Sequence, residues 1–473
     1  MKVMNLDTHY TAAEKVAQIL KSKGFDAYII GGAVRDLLLG HPPKDYDLVT
    51  NATPDELLSI AEFIDPKYTD SAQAYGVTRI KINVNDQDID IEITTYRRDI
   101  EAHLGRKLTK VEFSDLIDDV NRRDFTINSL ALDPLNHCLV DLLDGVKDLD
   151  NRFVRFIGNP TARIQEDPLR VLRAIRFKNR LGFRYNQATY DAISTAIKSD
   201  VLSEIAVDRL RNELSSMLRH SSRQEALEDL DNLGAISAIL PELASTKGIA
   251  QPHEFHTEGD VFNHSLLAVH YLPAEISVRL AWATLLHDIG KTPTFTPAEI
   301  TGDRIRFDNH HSEGAKRARK VMQRLNFSTK LTDEISWMIH YHMAIAYLPE
   351  MRPGHAITFM SHPAFEDLLE LHRADAHAAW NKLPDGGSWT DAPNLSIIEQ
   401  MYSQYIADRN AKKAPSLKDD LGIDGTWLKT EFNLSDGEQI GHLLEELRLL
   451  YHEGKLPDKQ VAKSTIKNIL DKS

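Results

Sequence analysis

Residues 27–49 read AYIIGGAVRDLLLGHPPKDYDLV, and the organisation of the chain follows from them. Ala27 to Ile30 is an apolar run short enough for a buried strand. It meets Gly31-Gly32, after which Val34 to Leu39 takes helical spacing up to Gly40. A strand that turns through paired glycines into a helix lets the backbone approach an anion closely. The new helix then directs unpaired N–H groups at that anion. A glycine pair alone is more often only a turn, and here the sequence that follows it adds the chemistry.

Asp45-Tyr46-Asp47 leads into Leu48-Val49, and a strand is expected from Tyr46 to Val49. Carboxylates two residues apart in extended chain point to one face. Side by side they repel, and divalent cations resolve that conflict while setting up in-line phosphoryl displacement. Magnesium suits a site built of a few carboxylates and substrate phosphates. Further strands are expected from Thr78 to Val84 and from Ile89 to Thr95. Asp88, Asp90 and Glu92 share one parity on the last of these, so spacing alone leaves the third acid open among them.

Working outward, residues 11 to 24 read as a helix ending at Gly24, and the first 150 residues as a mixed α/β domain. Strand signals then become scarce. Apolar spacing of three and four runs from Pro168 through Leu243, through a histidine-rich middle, and again from Glu438 to Tyr451. The expected fold class is α+β: a small mixed-sheet head followed by a long all-α neck and body. Asn381 to Pro393, rich in Gly, Pro and Asp, reads as a linker.

The chain has 473 residues, which calls for more than one core. With 42% hydrophobic and 27% charged residues it has an ordinary globular balance. No apolar run approaches the roughly 18 residues of a membrane span, and Met1 to Tyr10 lacks a signal-peptide pattern. The single cysteine, Cys138, excludes a disulfide framework and reads as a buried small hydrophobe, which fits a reducing cytoplasm. A net charge of −14 argues against a polyanionic partner only if it is evenly spread. It is not: from Arg152 to Arg184 the chain carries Arg155, Arg163, Arg170, Arg173, Arg176, Lys178 and Arg180 as well, opposed only by Glu166 and Asp167.

GGAVRDLLLG (31–40), KDYDLVTNATPDEL (44–57), DIEITTYRRD (90–99), NRRDFTINSLALDP (121–134) and EDPLRVLRAIRF (166–177) occur in that order. This set resembles the bacterial class II CCA-adding enzymes and poly(A) polymerases. The resemblance implies that Asp45 and Asp47 hold catalytic Mg2+ and that Glu92 is the third acid. It also implies nucleotide contacts at Gly32, Arg35, Arg123, Asp124, Asn128, Arg163, Arg173 and Arg176. Asp167 and Arg170, three apart and expected on one helix face, would read the base edge. Cytosine and adenine place an amino group beside an acceptor, whereas uracil and guanine set a carbonyl against the Asp at a high cost. The implied partners are the tRNA acceptor end, CTP and ATP, with no membrane and no protein partner. Arg98 to Val111 resembles the family's mobile loop, whose departures leave CC-only or A-only addition open.

In the middle of the chain, His264, His287-Asp288, His310, His342 and Asp375 form an ordered series of imidazoles and carboxylates suited to Mn, Fe, Ni or Zn. His256, His311 and His340 lie close by as alternative ligands. LLHDIGK (285–291) places the His-Asp pair at the tip of an apolar helix. The segment resembles the HD phosphohydrolase superfamily, and FHTEGDVFNHSLL (255–267) its version fused to nucleotidyltransferases. Phosphatase or 2′,3′-cyclic phosphodiesterase chemistry is implied. The expected domains are the head (1–150), a helical neck with base recognition (151–245), an HD metal-binding domain (246–385) and a C-terminal helical region supporting tRNA (386–473). In that last region Gly422-Ile423-Asp424 and Gly454-Lys455-Leu456-Pro457 match the family. A poly(A) polymerase shares this chemistry, but Ala72 to Ile82 lacks the basic signature of those enzymes. An HD phosphohydrolase with an RNA-binding head would leave the intact aspartate pair unexplained, and a plain tRNA-binding module explains neither cluster.

Overall fold

The structure, a computed structural model, describes residues 7–64, 76–101, 110–252, 259–379, 394–411, 417–434 and 437–471. The expected linker Asn381–Pro393, residues 102–109 of the Arg98–Val111 segment, and His256 lie outside that set. The chain forms two compact units: Met1–Met217 with Glu225–Ile239, and Leu218–Gln224 with Leu240–Ser473. The fold class is the expected one, a mixed-sheet head followed by helices.

The first unit opens with α1 (Thr8–Ser22), whose N-terminus is capped by the Asp7 carboxylate accepting from the Tyr10 N–H at 2.7 Å. β1 (Tyr28–Ile30) feeds α2 (Gly32–Leu39), which ends at Gly40 in the left-handed region. β2 (Leu48–Thr50), α3 (Pro54–Ile64), β3 (Val77–Val84) and β4 (Gln87–Thr95) follow. β5 (Arg97–Glu101) pairs with β6 (Lys110–Phe113) in a separate ribbon. After α4 (Leu116–Asn121), a single 3₁₀ turn at Thr126–Asn128 leads into β7 (Ala131–Asp133) and β8 (Cys138–Val140).

The six-stranded sheet has the order β3-β4-β2-β1-β7-β8. β1 is antiparallel to both neighbours, with Ile29 opposite Leu48 and Leu132, while β2 runs parallel to β4 with Leu48 opposite Ile93. Ile29, Leu48 and Ile93 are wholly buried, so the middle of the sheet is a hydrophobic core. Cys138 departs from expectation: it is exposed, because β8 is the edge strand. The helices α5 (Gly145–Asp150), α6 (Pro160–Glu166), α7 (Leu169–Leu181), α8 (Gln187–Lys198), α9 (Val207–Leu218) and α10 (Arg223–Asn232) come next.

The second unit is largely helical. Its core holds the helices Val261–His270, Val278–Leu286, His310–Arg324, Thr329–Tyr341 and Phe365–Ala379. Fully buried Trp282 packs edge-on to Phe327, with ring centroids 5.4 Å apart. Buried Arg223 donates to the carbonyls of Leu272 and Pro273, each at 2.9 Å, just past the end of the first of these helices. A smaller core gathers Leu428, Leu443, Leu447 and Ile466 near the C-terminus. Among the described residues no helix is long and apolar enough to cross a membrane.

Candidate functional site

Sheet topology brings the sequence-predicted acids together. The chain leaves β1 at Gly31 and enters β2 from Asp47, and because these strands are antiparallel the two lie at one sheet edge. The Ile30 N–H donates to the Asp47 carbonyl at 3.1 Å. Asp45 and Asp47 stand just before β2 rather than within it, yet they keep the alternation of extended chain. Both are exposed and flank buried Tyr46. On β4 the alternation buries Ile89, Ile91 and Ile93 and turns Asp88, Asp90 and Glu92 outward. Register then separates the three acids. Leu48 faces Ile93, which sets Glu92 beside Asp47, whereas Asp88 is hydrogen-bonded to Asn83 at 2.8 Å further along the hairpin.

Loss of hydration first, then Glu92 and Asp45, push the Asp47 carboxyl up to about 6. Arg79 answers part of this charge, reaching Glu92 at 3.2 Å. Crowded carboxylates that raise one another's proton affinity are a donor set that fits a hard divalent cation.

Beside them opens a cleft of about 540 Å³ whose lining is rich in arginine and includes Gly31, Gly32 and Asp45. Gly31 has φ +79° and ψ −129°, and an added Cβ there would stand 3.2 Å from Nη1 of Arg123. The turn is therefore held to glycine by both its backbone and its neighbour. A hydrogen-bonded chain crosses the cleft floor. Buried Arg35 donates to Asn128 Oδ1 at 2.7 Å, and Asn128 Nδ2 donates to Asp124 at 3.0 Å. Asp124 accepts both Nε and Nη2 of Arg173, at 2.8 and 2.6 Å. Burial raises the proton affinity of Asp124, but Arg173 and Asn128 outweigh it and hold the carboxyl below its usual range. Arg176 pairs with Glu213 and lies over the Phe177 ring at 4.4 Å. Arg123 is tied to Asp119 at 3.0 Å.

Two expectations need correction. Asp167 and Arg170 do not share a helix. Pro168 disfavours helical backbone in the residue before it, so Asp167 is extended (φ −150°, ψ 98°) and α7 starts afresh at Leu169. Both side chains still reach the cleft. Arg163 does not line it. It is buried, donating to the carbonyls of Arg122 and Arg123 and to Glu166, and so holds the Arg122–Asp124 segment in place. Lys44, Arg122, Phe177 and Arg209, none of them an expected site residue, also line the cleft, as does Arg180 of the basic stretch. Lys44 stood within a quoted motif, while Arg209 carries no local signal.

The second unit gathers all six histidine and aspartate candidates. His264 Nε2 lies 2.8 Å from Asp375 and 3.3 Å from His287 Nε2. His310 and His342 approach each other by Nε2 atoms at 3.3 Å. Asp288 joins the two groups, 3.2 Å from His287 and 3.6 Å from His310. Three imidazoles are locked from behind, their Nδ1 atoms against the carbonyls of Thr284, Phe307 and Ile339 at 2.8, 2.8 and 2.6 Å. A backbone acceptor on Nδ1 fixes the proton there and leaves the Nε2 lone pair facing inward.

The buried Asp288 oxygens have no well-formed hydrogen bond, although Lys291 Nζ comes within 2.7 Å of one of them. Burial lowers the pKa of both His287 and His342. For His287, Asp288 and Asp375 reverse that effect and carry it to about 10. His342, with His310 and His287 adding to burial, falls to about 3. The cluster thus calls for positive charge at its centre, and converging imidazole and carboxylate donors fit a divalent metal. His311 and His340 pack edge-on with ring centroids 5.3 Å apart, and neither belongs to the ligand groups. The adjoining cavity of about 600 Å³ adds Lys291, Arg304 and Arg306.

Residues 27–155 match the family model of the poly A polymerase head domain, which makes the first unit's sheet a nucleotidyltransferase head. Residues 182–247 match the probable RNA- and SrmB-binding site of polymerase A, and 261–353 match the HD domain. The chain is 30% identical over 364 residues to the multifunctional CCA protein of Legionella pneumophila strain Paris, covering 74% of this chain and 84% of that protein. It is 36% identical over 231 residues to the CCA-adding enzyme of Staphylococcus epidermidis, covering 49% and 55%. The chain spans about half the length of the first curated relatives it matches. A crystal structure of the Bacillus stearothermophilus CCA-adding enzyme in complex with CTP aligns with a TM-score of 0.63 at 22% identity, covering 98% of this chain and 99% of that one. At that identity the likeness concerns the fold. The chain belongs to the CCA-adding enzyme family and carries an HD domain.

Proposed function

We propose that the protein is a tRNA nucleotidyltransferase that adds C and A to tRNA 3′ ends from CTP and ATP without a nucleic-acid template, releasing pyrophosphate. The observation that carries this reading is the meeting of Asp45, Asp47 and Glu92 at one sheet edge beside an arginine-lined cleft. Asp45 and Asp47 would hold Mg2+, with Glu92 as the third acid beside them, and the bound ion would supply activation of the tRNA 3′-hydroxyl and neutralisation of charge on the leaving group. The N-terminal turn of α2 at Gly32 faces the phosphates, and Arg123, Arg173 and Arg176 supply positive charge along the cleft. Arg35, Asn128 and Asp124 hold one another and the ribose. Arg163 positions the Arg122–Asp124 segment from behind. Asp167 and Arg170 read the base edge. Positioning and electrostatics do the catalytic work, with no covalent intermediate.

The basic neck (151–245) serves tRNA binding, the HD domain spans 246–385, and 386–473 supports the acceptor arm in the cytoplasm. Convergence of His264, His287, Asp288, His310, His342 and Asp375 supports a second activity, metal-dependent phosphohydrolysis with Mn, Fe, Ni or Zn.

The test is end sequencing of tRNA transcripts ending before CCA, in C, or in CC, after incubation with the protein, magnesium, CTP and ATP. Completion of all three supports full CCA addition. A single step completed would make it a CC-only or A-only enzyme, long A tails a poly(A) polymerase, and no incorporation would overturn the head reading.

A further inference from the structure

Asp167 is gripped by a residue 42 positions away. Arg209, in the first turn of α9, donates Nη1 to Oδ1 at 2.9 Å and Nη2 to Oδ2 at 2.7 Å, an end-on fork. Oδ1 also accepts the Leu169 N–H at 3.2 Å. A carboxylate oxygen accepts about two hydrogen bonds. Oδ1 is therefore filled, and among the described residues Oδ2 keeps one acceptor site. Both side chains are part-exposed and line the cleft.

Arg170 is held in the complementary way. Its Nη1 donates to Glu166 at 2.6 Å and to the Arg163 carbonyl at 2.8 Å, and its Nη2 to the Arg122 carbonyl at 3.1 Å. Among the described residues, its Nε–H and one Nη2–H remain uncommitted. Both residues line the cleft, so the pair offers it one fixed acceptor and fixed donors. That is the complement of an amino group beside a ring acceptor, which cytosine and adenine offer and uracil and guanine do not.

The backbone alone does not supply this rigidity. Asp167 sits in extended chain between two helices, where its carboxylate would be free to turn. We infer that Arg209 is a positioning residue for nucleotide selection, fixing the Asp167 carboxylate so that Oδ2 accepts the exocyclic amine of C or A. The inference rests on the reading of Asp167 and Arg170 as base-contacting. Arg209 spends its fork on Asp167 and not on the carboxylates at the sheet edge, so its loss should act on base choice. A turned carboxylate leaves the amine poorly met and the carbonyl of uracil no longer opposed. One misplaced contact of this kind is worth about tenfold or more in discrimination.

The full-length protein is assayed with tRNA transcripts, measuring kcat and KM for CTP and UTP separately, alongside equilibrium binding of each nucleotide. Arg209→Ala and Arg209→Gln should raise KM for CTP more than they lower kcat, and reduce the CTP:UTP ratio of kcat/KM and of affinity by about tenfold or more. Arg209→Lys restores charge without the fork and should recover only part of the ratio. Thermal melting identifies variants that fail to fold, and the lysine variant then carries the test. Equal loss of rate with every nucleotide at an unchanged ratio would overturn the inference, as would tighter CTP binding by Arg209→Ala, which would make Arg209 an occupant of the base site. Asp167→Ala separates the two levels. If it discriminates as well as the parent, the base-reading role fails and takes this inference with it. If it loses discrimination while the Arg209 variants keep it, only the inference falls.

Discussion

Arg173 holds the buried carboxylate of Asp124 through Nε at 2.8 Å and Nη2 at 2.6 Å. This pair decides the charge state of the cleft floor. Burial works against ionised Asp124, and Arg173, with Asn128, reverses the balance so that the pKa is lowered. A depressed folded pKa contributes stability that is fully present above the unfolded value of about 3.9 and is lost as pH falls through the folded one.

Arg173→Met removes the compensation and leaves burial in control, so the Asp124 pKa rises above its unfolded value and the sign reverses. The variant should be destabilised most at neutral pH, by about 3 kcal/mol or more, and the gap should shrink as acid protonates Asp124. Urea unfolding of both proteins between neutral pH and about pH 4 measures it. A gap independent of pH would show that the pair is not the source.

Asp47 presents the opposite case. Its carboxyl is pushed up to about 6 by lost hydration, Glu92 and Asp45. A carboxyl whose folded pKa exceeds the unfolded value costs stability when ionised; the cost develops between the two values and is complete above about 6. Metal-free Asp47→Asn should therefore melt higher than the parent at neutral pH, with the difference fading in acid. Magnesium should reverse the order by stabilising the parent and not the variant, and the variant should add no nucleotide. Equal magnesium responses in calorimetry would remove Asp47 from the metal site.

How far these features are legible in the sequence depends on how local their causes are. The strand, glycine turn and helix from Tyr28 to Leu39, and the paired outward acids around Tyr46, follow from neighbours in the chain. Glu92 could not be chosen from parity, because Asp88 and Asp90 share its face; strand register chooses it. The shared helix expected for Asp167 and Arg170 failed at Pro168, a residue plainly visible, since spacing was given more weight than the restriction proline places on its predecessor. Arg209 was invisible because its partner is distant in sequence. Cys138 followed a general burial tendency that an edge strand overrode. In the second unit, ligand types and order were legible. The choice of His310 over His311 needed the helix start at His310, which turns that ring inward.

Gly31→Ala tests the turn. At φ +79° and ψ −129° an alanine is strained whatever the space, and its Cβ would also press on Arg123. A cost of about 1–3 kcal/mol is expected. Displacement of Arg123 should raise KM for nucleotide as well. A variant that unfolds at the parent's urea midpoint and keeps the parent's KM would remove the steric account.

Metal addition to the chelator-stripped protein tests the histidine cluster, with a response that can be separated from the head. Three imidazoles already fixed through Nδ1 lose little freedom on ligation, so binding should be tight for a transition metal and weak for magnesium. At a metal concentration about 100 times Kd the native state gains about 2.7 kcal/mol, read as a rise in Tm with Mn, Ni or Zn. His342→Ala and Asp288→Ala should each lose that rise, since Asp288 belongs to both ligand groups. His340→Ala should keep it, because its ring packs edge-on against His311 outside the ligand groups. Neither loss should change the magnesium response of the head, whose acids lie in the other unit. If Asp288→Ala and His342→Ala respond to the metals as the parent does, the cluster is a buried polar network and the phosphohydrolase reading falls with it.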